Sequence, residues 1–173
     1  MRSAERARDA AAIWDIATPS RPLLPGVAMA GFRSRTADPF DLQVVPYPAV
    51  TVAVDFGEGP LVVDGVDGEQ RGSVVLGFAP GGVRVHGHGI ACLQVRLSPV
   101  VAHAVLGVSL EPGATVVALD DLWGRDAERA QDQLRGAVSW DDRFAIAEAA
   151  LARRFEAGRA PSTSRSPSPG ARW

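Results

Sequence analysis

Residues 92–124, CLQVRLSPVVAHAVLGVSLEPGATVVALDDLWG, carry the strongest fold signals in this chain. Gln94 and Arg96 alternate with apolar residues, which is the two-residue period of a β-strand with one apolar face. Ser98 and Pro99 then supply a helix N-cap followed by proline at the first helical position, where its missing N–H costs nothing. The segment therefore predicts a core strand that leads directly into a short helix.

The chain after this strand is expected to be mainly helical. Gly107 should end the first helix early, because glycine readily adopts the left-handed conformation that closes a helix. Residues 115–119 form a short apolar run, which we interpret as a connecting strand. Asp120 and Asp121 are expected to cap the next helix, where carboxylates suit the positive end of the helix dipole. The helix predicted over residues 127–135 is polar, with little apolar surface to bury.

The last predicted helix follows Ser139, and Asp142 three residues later gives a weak form of the capping box. An apolar stripe at heptad-like spacing runs along this helix. The stripe predicts either packing onto the β-rich part of the chain or a dimer or interdomain helix pair. Packing is preferred, because the stripe spans only about two heptads. The stripe consists of Trp140, Phe144, Ala147, Leu151 and Phe155.

The changes in composition along the chain predict one domain with two flanking segments. Residues 1–22 are polar and alanine-rich and are expected to form a flexible N-terminal arm. Residues 23–157 form the domain, which is β-rich over 23–97 and helical over 98–157. Residues 158–173 are rich in serine and proline and are expected to be disordered. The predicted fold class is α+β, an antiparallel β-sandwich or barrel followed by a small helical segment.

Two hairpins are predicted within the β-rich part. Residues 50–56 have a clear strand composition, and residues 61–63 are expected to run back beside them after a Gly/Pro turn. Residues 83–86 and 90–97 are expected to form the next hairpin, across the glycine-rich turn at residues 87–89. Short strands at this spacing favour a sandwich or barrel.

The bulk composition excludes several classes of protein. The 173 residues carry a formal net charge of −2, whereas a stand-alone DNA-binding domain is usually strongly basic. Cys92 is the only cysteine, which rules out an intramolecular disulfide, and its apolar neighbours favour a buried, inert thiol. The N-terminus does not resemble a signal peptide, and no run of apolar residues is long enough to span a membrane. A cytoplasmic location is therefore expected.

The chemistry-bearing residues make no case for catalysis, so no enzyme activity and no cofactor are predicted. His86 and His88 are two residues apart and are weak candidates for metal ligands. No acidic ligand follows them, and His103 lies in a predicted helix, so no metal site is predicted. Asp120 and Asp121 are helix caps far more readily than a paired acid and base.

Three polar residues are weak candidates for ligand binding. Arg84 and Arg96 lie on strands predicted to be neighbours, and two inward-facing guanidinium groups could hold an anionic ligand. Gln94 shares a strand face with Arg96. A solvated face is the preferred interpretation, because arginine is mostly exposed. The sequence leaves open whether this face meets solvent or a cavity.

Several segments together resemble the N-terminal sensor region of AraC-family transcriptional regulators of the actinobacterial type. Each segment is a packing or capping pattern, and their order and spacing are more specific than any one of them. The similarity covers about residues 22–157. The segments are QVRLSP at 94–99, AVLGV at 104–108, VVALDDLWG at 116–124, SWDDRF at 139–144 and LARR at 151–154, together with the strand at 50–56.

The resemblance implies a cupin-like fold that senses a small-molecule effector. In the family, a pair of helix-turn-helix motifs follows the LARR helix and reads DNA. Here only a short Ser/Pro-rich stretch follows, so the sequence predicts a truncated, frameshifted or stand-alone sensor, with either of the first two preferred. Candidate partners are an effector, a second copy or a full-length relative, and DNA only through a helix-turn-helix domain that this chain lacks. The alternative function is a small cupin-like metal-binding protein or enzyme.

Overall fold

The computed structural model describes residues 13–21, 24–45, 48–78, 82–108 and 116–159, and every structural statement below concerns these residues. They form strands β1 (Trp14–Ala17), β2 (Val27–Ser34), β3 (Phe40–Val44), β4 (Val50–Asp55), β5 (Val62–Gly65), β6 (Gly68–Arg71), β7 (Val74–Leu76), β8 (Val83–Gly87), β9 (Ala91–Leu97) and β10 (Val116–Ala118). The helices are α1 (Pro99–Leu106), α2 (Leu119–Trp123), α3 (Arg125–Gly136) and α4 (Trp140–Arg159).

The strands form two antiparallel sheets. The larger sheet has the order β1-β2-β9-β4-β7-β10, and the smaller sheet has the order β3-β8-β5-β6. The four helices pack on one face of the larger sheet, and the smaller sheet covers the other face. The predicted class is thus confirmed: an α+β fold with a cupin-like antiparallel sandwich and a small helical segment.

Strand β9 lies at the centre of the larger sheet, with one face toward the helices and the other toward the smaller sheet. Leu93, Val95 and Leu97 are almost completely buried in the cluster that includes the helices. Cys92, Gln94 and Arg96 point the opposite way, toward the smaller sheet. The alternation predicted from the sequence is therefore present, because successive side chains on a strand point to opposite faces.

The start and end of α1 follow the local sequence signals. The backbone N–H of Val101 donates to the side chain of Ser98, and Pro99 occupies the first helical turn. Gly107 closes the helix in the left-handed conformation, with φ of 72°. These predictions are confirmed. By contrast, Asp120 and Asp121 lie inside the first turn of α2 and do not cap it, because Ala118 is the N-cap residue and makes no side-chain hydrogen bond.

The last helix has a capped first turn and packs on the larger sheet through Trp140. The backbone N–H of Asp142 donates to Ser139 Oγ at 3.1 Å, as the capping pattern predicts. The Trp140 ring packs directly over Gly31 of β2 and stacks on Phe144. Phe144 and Leu151 are buried, and Trp140 and Phe155 pack against the same cluster. The stripe therefore packs within the chain, which agrees with the preferred interpretation, and the dimer or interdomain helix pair stays a prediction.

A buried arginine links the last two helices. Arg143 is 5% exposed, and its guanidinium donates to the carbonyl oxygens of Leu134 at 3.1 Å and Ala137 at 2.6 Å. It also lies over the rings of Phe56 and Trp140. The carbonyls at the end of α3 lack partners within their own helix, so Arg143 satisfies groups that would otherwise be buried and unpaired.

Both predicted hairpins are wrong, because their strands belong to different sheets. β4 pairs with β7 and β9, whereas β5 pairs with β6 and β8. Likewise β8 pairs with β3 and β5, and β9 pairs with β2 and β4. Each predicted turn is instead a corner at which the chain crosses between the sheets. The two corners meet, since the backbone N–H of Glu58 donates to the carbonyl of Gly89 at 3.2 Å.

The predicted boundaries also need correction. Residues 14–17 are not part of a flexible arm, because they form β1 and pair with β2. Within the predicted helical segment, the connecting strand expected at residues 115–119 is confirmed as β10, which pairs with β7 of the larger sheet. Helix α4 continues to Arg159, past the predicted boundary at 157. The predicted disordered tail lies outside the described residues from position 160 onward. Within the described ranges, no helix is long and apolar enough to cross a membrane.

Candidate functional site

A cavity of about 310 Å³ lies between the two sheets. Its floor is formed by the face of the larger sheet that points away from the helices, and its roof by the inner face of the smaller sheet. The volume lies at the lower end of the range for small-molecule pockets. The wall includes the aromatic residues Trp14, Phe32 and Phe40 and the aliphatic residues Leu61, Val63, Leu76, Val83, Val85 and Ile90.

In the described part of the wall, three polar side chains interrupt the apolar surface, all on the two central strands of the larger sheet. Thr51 is on β4, and Gln94 and Arg96 are on β9. Thr51 and Arg96 are direct cross-strand partners, and Gln94 lies two residues along the same face. The cavity therefore offers a guanidinium, an amide and a hydroxyl on one patch of an otherwise apolar surface. Such a combination suits a ligand with an apolar body and one polar or anionic end.

The cavity meets solvent beside β3, which is an edge strand of the smaller sheet. Leu42, Val44 and Val45 line the cavity there and are 45%, 39% and 82% exposed. Exposed aliphatic side chains next to a cavity make an apolar entrance.

Cys92 lines the cavity but is not suited to act as a nucleophile. Its side chain is buried, and burial raises the pKa of the thiol to about 12, with the negative charge of Asp55 adding to the shift. Thiolate is the reactive form, so the folded protein holds Cys92 in the unreactive state at neutral pH. This agrees with the sequence interpretation of a buried, inert cysteine.

The buried thiol gives a simple test of the native packing. At about pH 8, labelling of Cys92 by a chromogenic disulfide reagent is expected to be at least about a hundredfold slower in the folded protein than in denaturant, because both access and thiolate fraction are reduced. Reaction would be followed by the absorbance of the released thiolate. Equal rates in the two conditions would show that the thiol is not held as the structure describes.

The three predicted ligand-binding candidates do not lie together. Gln94 and Arg96 line the cavity, whereas Arg84 lies on the outer face of the smaller sheet. Arg84 donates to both carboxylate oxygens of Asp41, with a shortest distance of 2.6 Å, and to Asp64 at 3.3 Å. The hydrogen bond from Arg84 lowers the pKa of the Asp41 carboxyl. The alternative in which Arg84 and Arg96 hold one ligand together is therefore wrong, because their strands belong to opposite sheets. The preferred interpretation of a solvated face is correct for Arg84 and wrong for Gln94 and Arg96, which line the cavity.

The two histidines considered as weak candidates for metal ligands also lie apart from each other. His86 lies on the outer face of β8, where its Nε2 is 3.2 Å from Asp64 and 4.0 Å from Glu69. His88 lies in the corner after β8, with its ring against Gly59. The sequence interpretation missed both acidic neighbours, because it searched for them after His88 and they come from β5 and β6.

Sequence reasoning also missed most of the cavity wall. Trp14 fell in the predicted arm, and Phe32 and Phe40 lay in stretches without an assigned role. One part of the wall had a signal in the sequence. The alternation at positions 92, 94 and 96 predicts that β9 has a second face, distinct from the face that packs in the core. Whether that face meets solvent or a cavity depends on where the smaller sheet packs, and no local pattern in β9 specifies this.

Comparisons with known proteins give weak similarities. No protein-family model and no curated protein matches the chain. Apo ToxT from Vibrio cholerae is 4% identical over 79% of this chain and 57% of its own, with a TM-score of 0.46. The AraC-like transcriptional activator CuxR is 12% identical over 88% of this chain and 66% of its own, with a TM-score of 0.35. A cupin domain from Bordetella pertussis Tohama I is 11% identical over 49% and 93%, with a TM-score of 0.31.

Structures similar to this chain thus include an AraC-like transcriptional activator and a cupin domain. The chain spans 57% of the length of ToxT. At these identities and scores the similarity assigns no function to the chain and no ligand to the cavity.

Proposed function

We propose that this chain is the effector-binding sensor domain of an AraC-type transcriptional regulator. Its effector would be a small molecule with an apolar body and one anionic or hydrogen-bonding group. The proposed role of the described residues is to bind the effector, and no contact with DNA is proposed for them. The observation that carries it is the apolar cavity between the sheets, with Arg96 and Gln94 on its floor.

The position of the cavity in the fold supports a regulatory role. Strand β9 supplies the polar floor with one face and packs against the helices with the other. It then leads directly into α1 through Ser98. Helix α4 in turn packs against α1. A ligand that shifts β9 would therefore act on the helical layer through one continuous set of packed residues.

We also propose that the cavity binds without catalysing a reaction. The described part of its wall contains no histidine and no carboxylate, which are the usual general acids, bases and metal ligands. Cys92 is held as the neutral thiol. The alternative of a cupin-like enzyme with a metal inside the barrel has no ligand set in this part of the wall.

Binding of anilinonaphthalene sulfonate, an apolar anionic fluorophore, tests the proposal. The wild-type protein is expected to bind about one equivalent with enhanced fluorescence. The Arg96→Met variant should bind about tenfold more weakly, because it loses a charge-assisted contact to the sulfonate. Arg84→Met is the matched control, since it removes an arginine from the outer face of the smaller sheet, and its affinity should stay within about twofold of wild type.

A second variant tests the cavity without changing its charge. Ala53→Leu adds apolar volume to the floor and should reduce binding by filling space. Near-ultraviolet circular dichroism must show native packing for each variant, because the same dye binds molten globules. Equal affinities for wild type, Arg96→Met and Ala53→Leu, or no stoichiometric binding, would overturn the proposal.

A further inference from the structure

Three strands of the smaller sheet bring one histidine and two carboxylates together on the face opposite the cavity. Asp64 of β5 and Glu69 of β6 are direct cross-strand partners. His86 comes from β8, the neighbour of β5 on its other side. The candidate ligand atoms of the three residues all lie within 4.8 Å of one another. We name these three residues the outer-face triad.

In each carboxylate of the outer-face triad, one oxygen accepts a hydrogen bond from an arginine and the other oxygen lies near His86. Asp64 accepts from Arg84 with Oδ2 and presents Oδ1 to His86 Nε2. Glu69 accepts from Arg71 with Oε1 and presents Oε2 to His86. The arginines therefore orient the two carboxylates and leave one oxygen of each directed toward His86 Nε2. Oriented outer-shell partners of this kind are typical of metal-ligating carboxylates.

The spacing of these atoms suits one shared metal ion. Nitrogen and oxygen ligands lie about 2.0 to 2.2 Å from a divalent ion, so two ligands of one ion are at most about 4.4 Å apart. His86 Nε2 is 3.2 Å from Asp64 Oδ1 and 4.0 Å from Glu69 Oε2. Both distances fit within that limit. The side chains are partly exposed, so small rotations can adjust the third distance.

The charges of the triad also favour a cation. Asp64 and Glu69 are like charges directly opposite each other on neighbouring strands, an arrangement that destabilises a sheet. Arg84 and Arg71 offset this from the outside, at distances of 3.3 and 2.7 Å. A divalent ion between the two carboxylates and a neutral imidazole would compensate both negative charges at once. Binding need not break the stronger Arg84–Asp41 ion pair.

We propose that Asp64, Glu69 and His86 bind a divalent first-row transition metal ion, with water completing its coordination. Mixed imidazole and carboxylate ligation favours Zn²⁺ and its neighbours over Ca²⁺ or Mg²⁺. The ion would join β8, β5 and β6 across the outer face of the smaller sheet. This site is separate from the effector cavity, because its residues point away from it.

Calorimetric titration with Zn²⁺ tests the site on the full chain freed of metal. The wild-type protein is expected to bind one equivalent. His86→Ala should weaken binding by at least tenfold, and Glu69→Gln by about tenfold, because each removes a ligand. His88→Ala is the matched control, since it removes a histidine two residues away, outside the triad, and should change affinity by less than about twofold.

A spectroscopic measurement gives an independent readout. Co²⁺ in place of Zn²⁺ should give visible absorption bands with the wild-type protein and with His88→Ala, and these bands should be lost with His86→Ala. If His86→Ala does not fold, Glu69→Gln on the exposed hairpin supplies the same comparison. No stoichiometric binding, or equal loss in His88→Ala and His86→Ala, would overturn the proposal. Dye binding in the cavity should be unaffected by His86→Ala, so the two proposals can fail separately.

Discussion

Replacing Gly31 with alanine is expected to destabilise the protein by about 3 kcal/mol. A Cβ atom built on Gly31 would overlap the six-membered ring of Trp140, which lies directly over β2 at this point. Trp140 cannot move aside easily. Its ring stacks on Phe144, and its Nε1 donates to Asp15 Oδ2 at 3.2 Å. Urea unfolding of the variant, followed by circular dichroism, measures the loss.

A double-mutant cycle separates this overlap from a general intolerance of β2. Trp140→Ala alone should cost about 3 kcal/mol, because a large aromatic side chain is lost from the helix–sheet contact. Adding Gly31→Ala to that background should cost almost nothing, because the space above β2 is then open. Additive effects of the two substitutions would contradict the contact.

Gly136 provides the matched control for Gly31. It lies at the end of α3, and no atom lies within 4 Å of a Cβ built on it, apart from its chain neighbours and its own helix backbone. Gly136→Ala should therefore be neutral or stabilise the protein by up to about 1 kcal/mol, since alanine favours helix. A cost similar to that of Gly31→Ala would mean that the effect comes from glycine replacement in general.

Asp55→Ala is expected to cost about 3 kcal/mol. Asp55 is 5% exposed and lies at the corner where the chain leaves the larger sheet. Its Oδ2 accepts from the backbone N–H of Leu61 at 2.9 Å, and its Oδ1 accepts from that of Gly57 at 3.1 Å. Alanine would leave both amides without this acceptor. Denaturant unfolding measures the effect, and Asp38→Ala at an exposed loop should stay within about 0.5 kcal/mol.

Asp55→Asn separates the loss of hydrogen bonds from the loss of charge. Burial raises the pKa of Asp55 above its usual value of 3.8, although the amides of Leu61 and Gly57 oppose the shift. The folded state thus holds this proton more tightly than the unfolded chain. The contribution of Asp55 to stability is therefore greatest below the usual pKa and declines as pH rises through the raised pKa.

Asparagine does not titrate, so the cost of Asp55→Asn should decrease as pH rises from below the usual value of 3.8 through the raised pKa of Asp55. It should also remain smaller than the cost of Asp55→Ala, because the amide oxygen can still accept one backbone hydrogen bond. Unfolding curves at several pH values measure both trends. A cost of Asp55→Asn that grows with pH would show that the two backbone amides outweigh burial.

The local sequence predicted the features that depend on residues close together in the chain. Ser98, Pro99 and Gly107 defined α1 correctly, because capping involves groups within one helical turn. Ser139 and Asp142 marked the start of α4 for the same reason. The alternation in β9 was also correct, since it follows from the geometry of a single strand. Asp120 and Asp121 failed as caps because α2 begins one residue before them.

The local capping and alternation patterns did not predict which strands pair with each other. The sequence placed 83–86 beside 90–97, whereas the structure places them in opposite sheets. Short strands of similar composition can pair in several ways, and the choice depends on which faces become buried. The outer-face triad could not be predicted for the same reason. Its members are separated by up to 22 residues in the chain and come together only because β6, β5 and β8 are neighbours in the sheet.

The sequence by itself determined both ends of α1, the start of α4, the two-faced character of β9 and the α+β class, because these arise from backbone geometry within a few residues. Only the tertiary structure decided that Gln94 and Arg96 line a cavity and that Arg84 and His86 lie outside it. The physical reason is that a strand fixes the alternation of its side chains but not the identity of the layer that each face meets. That layer is set by the corners at 56–61 and 87–90, which send consecutive strands to opposite sheets.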